Sequence, residues 1–110
     1  MTLRQKQSDF LVKVSKLIAF ACLQNISVFV NEWYRTKERQ AELVAQGKSW
    51  TMNSKHIDGL AVDLVVIKDD GSVSWDCKDY ELLGAYWTAH LDGVWGGRFK
   101  QRDCVHFQYD

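Results

Sequence analysis

The sequence predicts an α+β fold in which helices pack on a small antiparallel sheet. Helical periodicity dominates the first half of the chain, and short strand-like segments lie mainly in the second half. Turn-forming residues follow one strand directly, as in a hairpin, whereas parallel strands need long helical crossovers. The 110 residues contain no repeat, linker or low-complexity segment, so we expect a single domain over residues 1–110.

The first half predicts a helix, a strand and a second helix. Residues 8–24 favour an amphipathic helix because apolar side chains recur at helical spacing, namely Phe10, Val14, Leu17, Ile18 and Ala21. Asn25 can end that helix, and residues 26–30 (ISVFV) have the β-branched and aromatic composition of a buried strand. Thr36 is expected to cap a second helix that runs through Ala45.

The second half predicts three strands and another helix. Residues 48–60 lack a clean period and indicate a loop, and the apolar run 61–67 is typical of a strand. The turn sequence DDG followed by SVSW, residues 69–75, favours a hairpin. Residues 79–90 predict a helix, and residues 105–109 a last short strand. The chain is expected to bend at three glycines between these elements: Gly93, Gly96 and Gly97.

Composition excludes several classes of protein. With 46% hydrophobic and 25% charged residues, the chain is too apolar to be disordered. Fourteen basic and fourteen acidic side chains cancel, so we expect no nucleic acid as partner. The basic excess of the first half is compatible with an anionic polymer substrate or with a solvated helix face. No apolar run approaches the roughly 20 residues of a membrane span, so we expect no membrane insertion, and we expect a monomer.

The N-terminus and the cysteines predict a cytoplasmic origin. The first ten residues lack the apolar core of a secretory signal, which predicts synthesis in the cytoplasm. Cys22, Cys77 and Cys104 form no Cys-x-x-Cys pair and leave at least one thiol unpaired. We therefore expect reduced thiols in a reducing compartment.

Two histidines and an aspartate are candidate ligands of a metal ion. Asp63 interrupts an otherwise apolar strand, where a carboxylate without a partner costs several kcal/mol. An arginine or backbone amides can supply that partner, as can a divalent cation shared with His56, seven residues earlier. His106 near the C-terminus is the third candidate, and a catalytic zinc site uses three protein ligands.

Asp103 and Arg35 are candidate catalytic residues. Asp103 precedes His106 by three residues, a spacing that places a carboxylate beside the metal only if the chain bends near Cys104. Arg35 follows the first strand and can stabilise a developing oxyanion, although a surface arginine at a helix entry fits equally.

Three segments resemble one family of zinc peptidoglycan peptidases, which includes D-Ala-D-Ala carboxypeptidases and phage endolysins that cleave L-alanyl-D-glutamate. SKHIDGLAVD, residues 54–63, is similar to the family signature Ser-x-His-x-x-Gly-x-Ala-x-Asp. WGGRFKQRDCVHFQY, residues 95–109, resembles a second signature, in which an acid stands three residues before a histidine. EWYRTKERQAEL, residues 32–43, resembles a Tyr-Arg segment that opens a helix. The three occur in the order of the family and span about three quarters of the chain.

The resemblance implies a hedgehog/DD-peptidase-like fold and a zinc site. The implied zinc ligands are His56, Asp63 and His106. The implied catalytic residues are Asp103, as general base, and Arg35, which polarises the carbonyl. Residues expected to bind substrate are Ser54, Trp95 and Gly96.

The function implied is hydrolysis of the peptidoglycan stem peptide by a water that zinc activates. An aspartate as base and the short length resemble the endolysin branch, which predicts an L-alanyl-D-glutamate endopeptidase. The alternatives are D-Ala-D-Ala carboxypeptidation at the same site and a non-catalytic, zinc-stabilised module that binds the cell wall. We expect synthesis in the bacterial cytoplasm, with a phage or its host as source, and action at the wall.

Overall fold

The computed structural model describes residues 1–110 and contains three α-helices and a four-stranded sheet. The elements are α1 (Leu3–Leu23), β1 (Ser27–Glu32), α2 (Lys37–Ala45), β2 (Ala61–Ile67), α3 (Glu81–His90), β3 (Val94–Trp95) and β4 (His106–Gln108). Short 3-10 helices cover Cys77–Tyr80 and Gly96–Arg98. The strand order is β1-β2-β4-β3 and every pair is antiparallel, so the predicted α+β fold is confirmed.

Helix α1 begins five residues earlier than the periodicity predicts. The Thr2 hydroxyl accepts a hydrogen bond from the Gln5 amide, and the Gln5 side chain accepts one from the Thr2 amide. This reciprocal cap satisfies two amides that a helix start leaves free, which stabilises the additional turn. At the other end, Asn25 takes a left-handed φ of 58°, as expected of a helix stop. No helix of the protein combines the length and the apolar character needed to cross a membrane.

Helix α2 begins and ends where the sequence predicts. The Thr36 hydroxyl accepts a hydrogen bond from the Arg39 amide, and Gly47 follows the helix with a φ of 73°. Glycine populates this left-handed region without steric cost, so it ends the helix and starts the loop that leads to β2.

The core lies between one face of the sheet and the helices α1 and α3. Alternate residues of β2, Val62, Leu64 and Val66, point into it, as expected from the two-residue period of a strand. The predicted stripe of α1 is buried against them, except Ile18, which is 37% exposed. Asp63 therefore faces the opposite side of the sheet.

The turn after β2 forms, but the strand predicted after it does not. The Lys68 amide donates to Ser72 O in the turn, and the return segment makes a single bridge to β2 through Val73. The hydroxyl of Tyr80 then accepts from the Val66 amide and donates to Ser74 O. A buried side chain thus replaces the next strand hydrogen bond, so the hairpin stops after one pair.

Two cysteines predicted to be free thiols are joined in a disulfide. Cys77 and Cys104 lie 27 residues apart in the sequence, and their Cα atoms are 5.4 Å apart, within the usual range for a disulfide. The expectation of reduced thiols was wrong for this pair, because tertiary packing places the segment before α3 against the segment before β4. Cys22 is free and exposed.

Candidate metal centre

Three side chains that the sequence singled out converge on the face of the sheet opposite the core. They are His56 from the loop before β2, Asp63 from β2 and His106 from β4. His56 Nε2 lies 3.2 Å and His106 Nδ1 lies 3.3 Å from the same oxygen, Asp63 Oδ1. All three ligand atoms lie within 4.8 Å of one another, so a single cation can contact all of them.

The register of the sheet brings Asp63 and His106 together. Asp63 pairs with His106 on β4 and with Glu32 on β1. Residues that pair across antiparallel strands project to the same face, so two acids and a histidine form a row. A register shift between Val30 and Glu32 places Glu32, rather than the residue before it, in that row.

His56 is held in position by a backbone carbonyl at its ring and by a side-chain hydroxyl at its amide. Its Nδ1–H donates to Trp33 O at 2.8 Å, which directs Nε2 toward Asp63. The Ser54 hydroxyl accepts a hydrogen bond from the His56 amide and stabilises the local turn. Gly59, with a φ of 67°, then reverses the chain into β2. Because Nδ1 is hydrogen-bonded to Trp33 O, Nε2 is the ring nitrogen that faces the cluster.

His106 depends on a residue that the sequence analysis missed. Its Nε2–H donates to Gln108 Oε1 at 2.8 Å, which leaves Nδ1 free to face Asp63. The Gln108 side-chain amide in turn donates to Asp110 Oδ1. Such outer partners fix the tautomer and the orientation of a histidine that binds metal. His106 and Gln108 are two residues apart on one strand and therefore project to the same face, a sequence signal that could have identified Gln108.

The charges in the cluster favour an ionised Asp63. Burial opposes this ionisation, but hydrogen bonds with His106 and His56 outweigh it and hold the pKa of Asp63 at about 2. Burial also disfavours the protonated form of His106, whereas its hydrogen bonds to Asp63 and Gln108 raise its pKa above the usual value. When the His106 ring is protonated on both nitrogens, the proton on Nδ1 occupies the position that a metal ion would take.

The donor set fits zinc. Two imidazole nitrogens and one carboxylate oxygen are donors that zinc accepts, and three protein ligands leave a fourth position for water or substrate. His56 is 2% and His106 8% exposed, so both rings are already oriented by the surrounding structure. The three residues border a cleft of about 760 Å³, which gives substrate access to that position.

Asp103 lies on the same cleft because the chain bends where the sequence required a bend. The His106 amide donates to Asp103 O across a turn at residues 104–105, so β4 begins at His106 and not at residue 105. Burial and the negative charge of Asp63 raise the pKa of Asp103 above its usual value. A carboxylate with a raised pKa is suited to accept a proton near neutral pH.

Arg35 is a buried part of the cleft wall and not a surface arginine. Its Nε and Nη2 donate to both oxygens of Glu32, at 2.8 Å and 2.6 Å. Its Nη1 donates to Gln40 Oε1 at 2.7 Å. The ion pair lowers the pKa of Glu32 and raises that of Arg35, so both stay charged. This fork-shaped pairing fixes the plane of the guanidinium group.

Gln40 is the second functional residue that the sequence analysis missed. It is fully buried on α2, and its side-chain amide donates to Ser49 Oγ and Thr51 O. Gln40 thereby connects Arg35 to the loop that forms one wall of the cleft. Its sequence signal was a polar residue on the inward face of an otherwise amphipathic helix.

The predicted substrate-binding residues do not share one location. Ser54 borders the cleft. Trp95 is 2% exposed and lies in the core, where its indole N–H donates to Cys104 O. Gly96 is also buried, and a Cβ there would collide with Asp103 O. The expectation that Trp95 and Gly96 bind substrate is corrected: neither residue borders the cleft, and both support the Asp103 segment from behind.

A family model described as D-alanyl-D-alanine carboxypeptidase matches residues 47–109, which include the whole metal cluster. The L-alanyl-D-glutamate peptidase of Listeria phage A118 is 42% identical over 99 residues, which cover 86% of this chain and 34% of the phage protein. The peptidoglycan L-alanyl-D-glutamate endopeptidase CwlK of Bacillus subtilis (strain 168) is 31% identical over 110 residues, covering 84% of this chain and 66% of that protein. The chain thus spans about a third of one relative and about two thirds of the other.

Two solved structures share the fold. The L-Ala D-Glu endopeptidase ChiX of Serratia marcescens has a TM-score of 0.66 and 35% identity, covering 77% of this chain and 68% of its own. The vancomycin resistance D,D-pentapeptidase VanY, solved in complex with Zn(II), has a TM-score of 0.65 and 20% identity, covering 91% and 70%. These similarities confirm the hedgehog/DD-peptidase fold. Together with the match over residues 47–109, they place the chain in the peptidase family described as D-alanyl-D-alanine carboxypeptidase.

Proposed function

We propose that this chain is a single catalytic domain, residues 1–110, that hydrolyses the stem peptide of peptidoglycan with the help of zinc. The bond we assign is the amide between L-alanine and D-glutamate. The observation that carries this proposal is the convergence of His56, Asp63 and His106 beside Asp103 and Arg35 on one cleft. A site that only stabilised the fold would need neither a nearby base nor a fixed cation.

Three residues would hold the zinc ion in this proposal: His56 through Nε2, His106 through Nδ1 and Asp63 through its carboxylate. Bound zinc supplies Lewis acidity and makes water a better nucleophile. Gln108 and Trp33 O keep the two imidazoles in the tautomers that expose these nitrogens.

Asp103 acts as general base and then as general acid. Its carboxylate accepts a proton from the attacking water and delivers it to the nitrogen of the leaving D-glutamate as the C–N bond breaks. The place of Asp103 on the same cleft as the three metal-binding candidates supports this role, because a general base must lie within reach of the proton that it accepts.

Arg35 stabilises the negative charge that develops on the carbonyl oxygen. Three of its five N–H donors bind Glu32 and Gln40, and two remain for the substrate. Because Glu32 and Gln40 fix the guanidinium before substrate arrives, little reorganisation is needed during the reaction.

The choice of bond is supported by the relatives. The relatives from Listeria phage A118 and Bacillus subtilis, and ChiX, are named for L-alanyl-D-glutamate cleavage. The second candidate, D-Ala-D-Ala carboxypeptidation, is favoured by the description of the matching family model. The phage relative supports an endolysin-like role at the wall. The disulfide supports action outside the cytoplasm, since disulfides persist in oxidising compartments.

The test joins metal content to product identity. Zinc per chain is measured, and purified peptidoglycan is digested with and without a chelator before the new termini are identified by mass spectrometry. We expect about one zinc per chain and chelator-sensitive L-alanine carboxyl and D-glutamate amino ends. Release of free D-alanine would establish the second candidate instead.

The variant Asp103→Asn separates catalysis from binding. We expect it to keep zinc and to lose at least about 100-fold in kcat/KM, since a positioned general base contributes 10²–10⁴-fold. Zinc binding without cleavage by the wild-type chain would support a wall-binding module, and full activity of the variant would contradict the role of Asp103.

A further inference from the structure

Three lysines line the cleft without a partner of their own. Lys48 and Lys55 belong to the loop between α2 and β2, and Lys100 belongs to the segment that leads to Asp103. None of the three forms an ion pair, and none donates a side-chain hydrogen bond, although three arginines of the protein each pair with a carboxylate. Their ammonium groups are therefore free to bind a ligand from two walls.

The carboxylates of the cleft do not neutralise these lysines. Glu32 is bound on both oxygens by Arg35, and Asp63 lies between two histidines. Asp103 is the remaining acid among the lining residues. The chain as a whole has a formal net charge of zero, whereas the cleft is lined by four basic and three acidic side chains, and this local positive excess favours an anionic ligand.

The proposed substrate carries an anion next to the bond that breaks. The inference rests on the proposed function, in which the leaving nitrogen belongs to D-glutamate. That nitrogen is bonded to the α-carbon, which bears an α-carboxyl group because the stem peptide continues through the side chain of D-glutamate. In some cell walls this group is a free carboxylate, and in others it is an amide, as in D-isoglutamine.

The position of Lys100 matches this carboxylate. Asp103 delivers its proton to the leaving nitrogen, so the α-carboxylate enters the cleft beside the segment of Asp103. Lys100 lies three residues earlier on that segment, and Lys48 and Lys55 lie in the loop that forms another part of the wall. We propose that these three lysines bind the free α-carboxylate and make the enzyme prefer stem peptides with D-glutamate over those with D-isoglutamine.

The experiment compares two synthetic peptides that differ only in this group. Both contain L-alanine followed by a γ-linked second residue, which is D-glutamate in one and D-isoglutamine in the other. For the zinc-loaded chain we expect kcat/KM to be about tenfold higher for the free acid, as for one charge-assisted hydrogen bond. The variant Lys100→Met should lose most of this preference, and replacement of all three lysines by methionine should abolish it, so that the two peptides have equal kcat/KM.

Lys16→Met is the matched control, because Lys16 is exposed on α1 and does not line the cleft. It should keep the full preference, and zinc content should be equal in all variants. Equal cleavage of the two peptides by the wild-type chain overturns this inference and leaves the proposed function standing. A preference that survives the triple replacement also overturns it. Cleavage of neither peptide overturns the proposed function, and this inference with it.

Discussion

Replacement of Gln40 by methionine removes the link between Arg35 and the cleft loop while it preserves side-chain volume. In the native protein Gln40 Oε1 accepts from Arg35 Nη1 at 2.7 Å, and its amide donates to Ser49 Oγ and Thr51 O. Methionine can do neither. The Gln40→Met variant therefore leaves one charged and two neutral groups without their partner.

The structure gives the size of the effect. A hydrogen bond to a charged group contributes about 1.5–3 kcal/mol, and a neutral one about 1 kcal/mol. Water can reach Ser49 and Thr51, which are half-buried, so we expect a loss of about 3 kcal/mol in the free energy of unfolding. Arg35 keeps Glu32 but loses one of two anchors, and we expect kcat/KM to fall about tenfold, as for a loss near 1.4 kcal/mol in transition-state stabilisation.

Three measurements on the same samples test this reasoning. Urea unfolding gives the stability, hydrolysis of a stem peptide gives kcat/KM, and competition with a chromophoric chelator gives the zinc affinity. The Gln40 side chain makes no hydrogen bond to His56, Asp63 or His106, so zinc affinity should stay within about twofold. Gln46→Met is the control, because Gln46 is exposed at the end of α2 and should change none of the three quantities.

The reasoning is refuted if Gln40→Met is as stable and as active as the wild type. A variant that is destabilised but fully active would show that Arg35 needs only Glu32 for its position. A loss of zinc would show that the loop of Gln40 supports the metal centre directly.

Three other perturbations have outcomes that the structure predicts. Gln108→Ala should weaken zinc binding about tenfold, because without Gln108 the His106 ring is free to change its tautomer. Competition with a chelator measures the affinity, and an unchanged affinity would contradict the role of Gln108 in orienting His106. The pKa of His106 is raised in the metal-free protein, so its protonation stabilises the fold below the usual pKa of histidine, and this contribution is lost as the pH rises through the raised pKa. The same proton competes with zinc, so titrations should show affinity falling as the pH drops below the raised value, and a pH-independent affinity would argue against His106 as ligand. Reduction of the Cys77–Cys104 disulfide, which closes a loop of 27 residues, should lower the free energy of unfolding by about 3.5 kcal/mol, and an equal urea midpoint with and without reductant would contradict this.

The three helices, the strands β1, β2 and β4 and the identity of the central residues could be predicted from the sequence, whereas the short strand β3 was not predicted and the hairpin strand after β2 was predicted wrongly. The strand 61–67 is apolar on both faces except at Asp63, and this exception identified Asp63 as a candidate metal ligand from the sequence alone. The need for a bend between Asp103 and His106 was also visible, because strand alternation alone separates residues three apart. Both predictions depend on the spacing of residues along one short segment, and the local backbone geometry determines which way residues at a given spacing project.

Other features required the three-dimensional structure. The sequence could not show that Trp95 is buried behind the site rather than exposed in the cleft, or that Cys77 meets Cys104. It also did not identify the partners of Arg35 on two different elements, Glu32 on β1 and Gln40 on α2.

The sequence by itself determined the helices, the central strand, the candidate ligands and the family that they resemble. Tertiary structure alone decided which side chains hold those residues in place and which ammonium groups remain free in the cleft. The physical reason is that periodicity and spacing specify the direction of a side chain relative to its own element. The partner that a side chain contacts depends on how elements distant in the sequence pack together. A hydrogen bond or a disulfide between two such elements therefore cannot be predicted from a local sequence pattern.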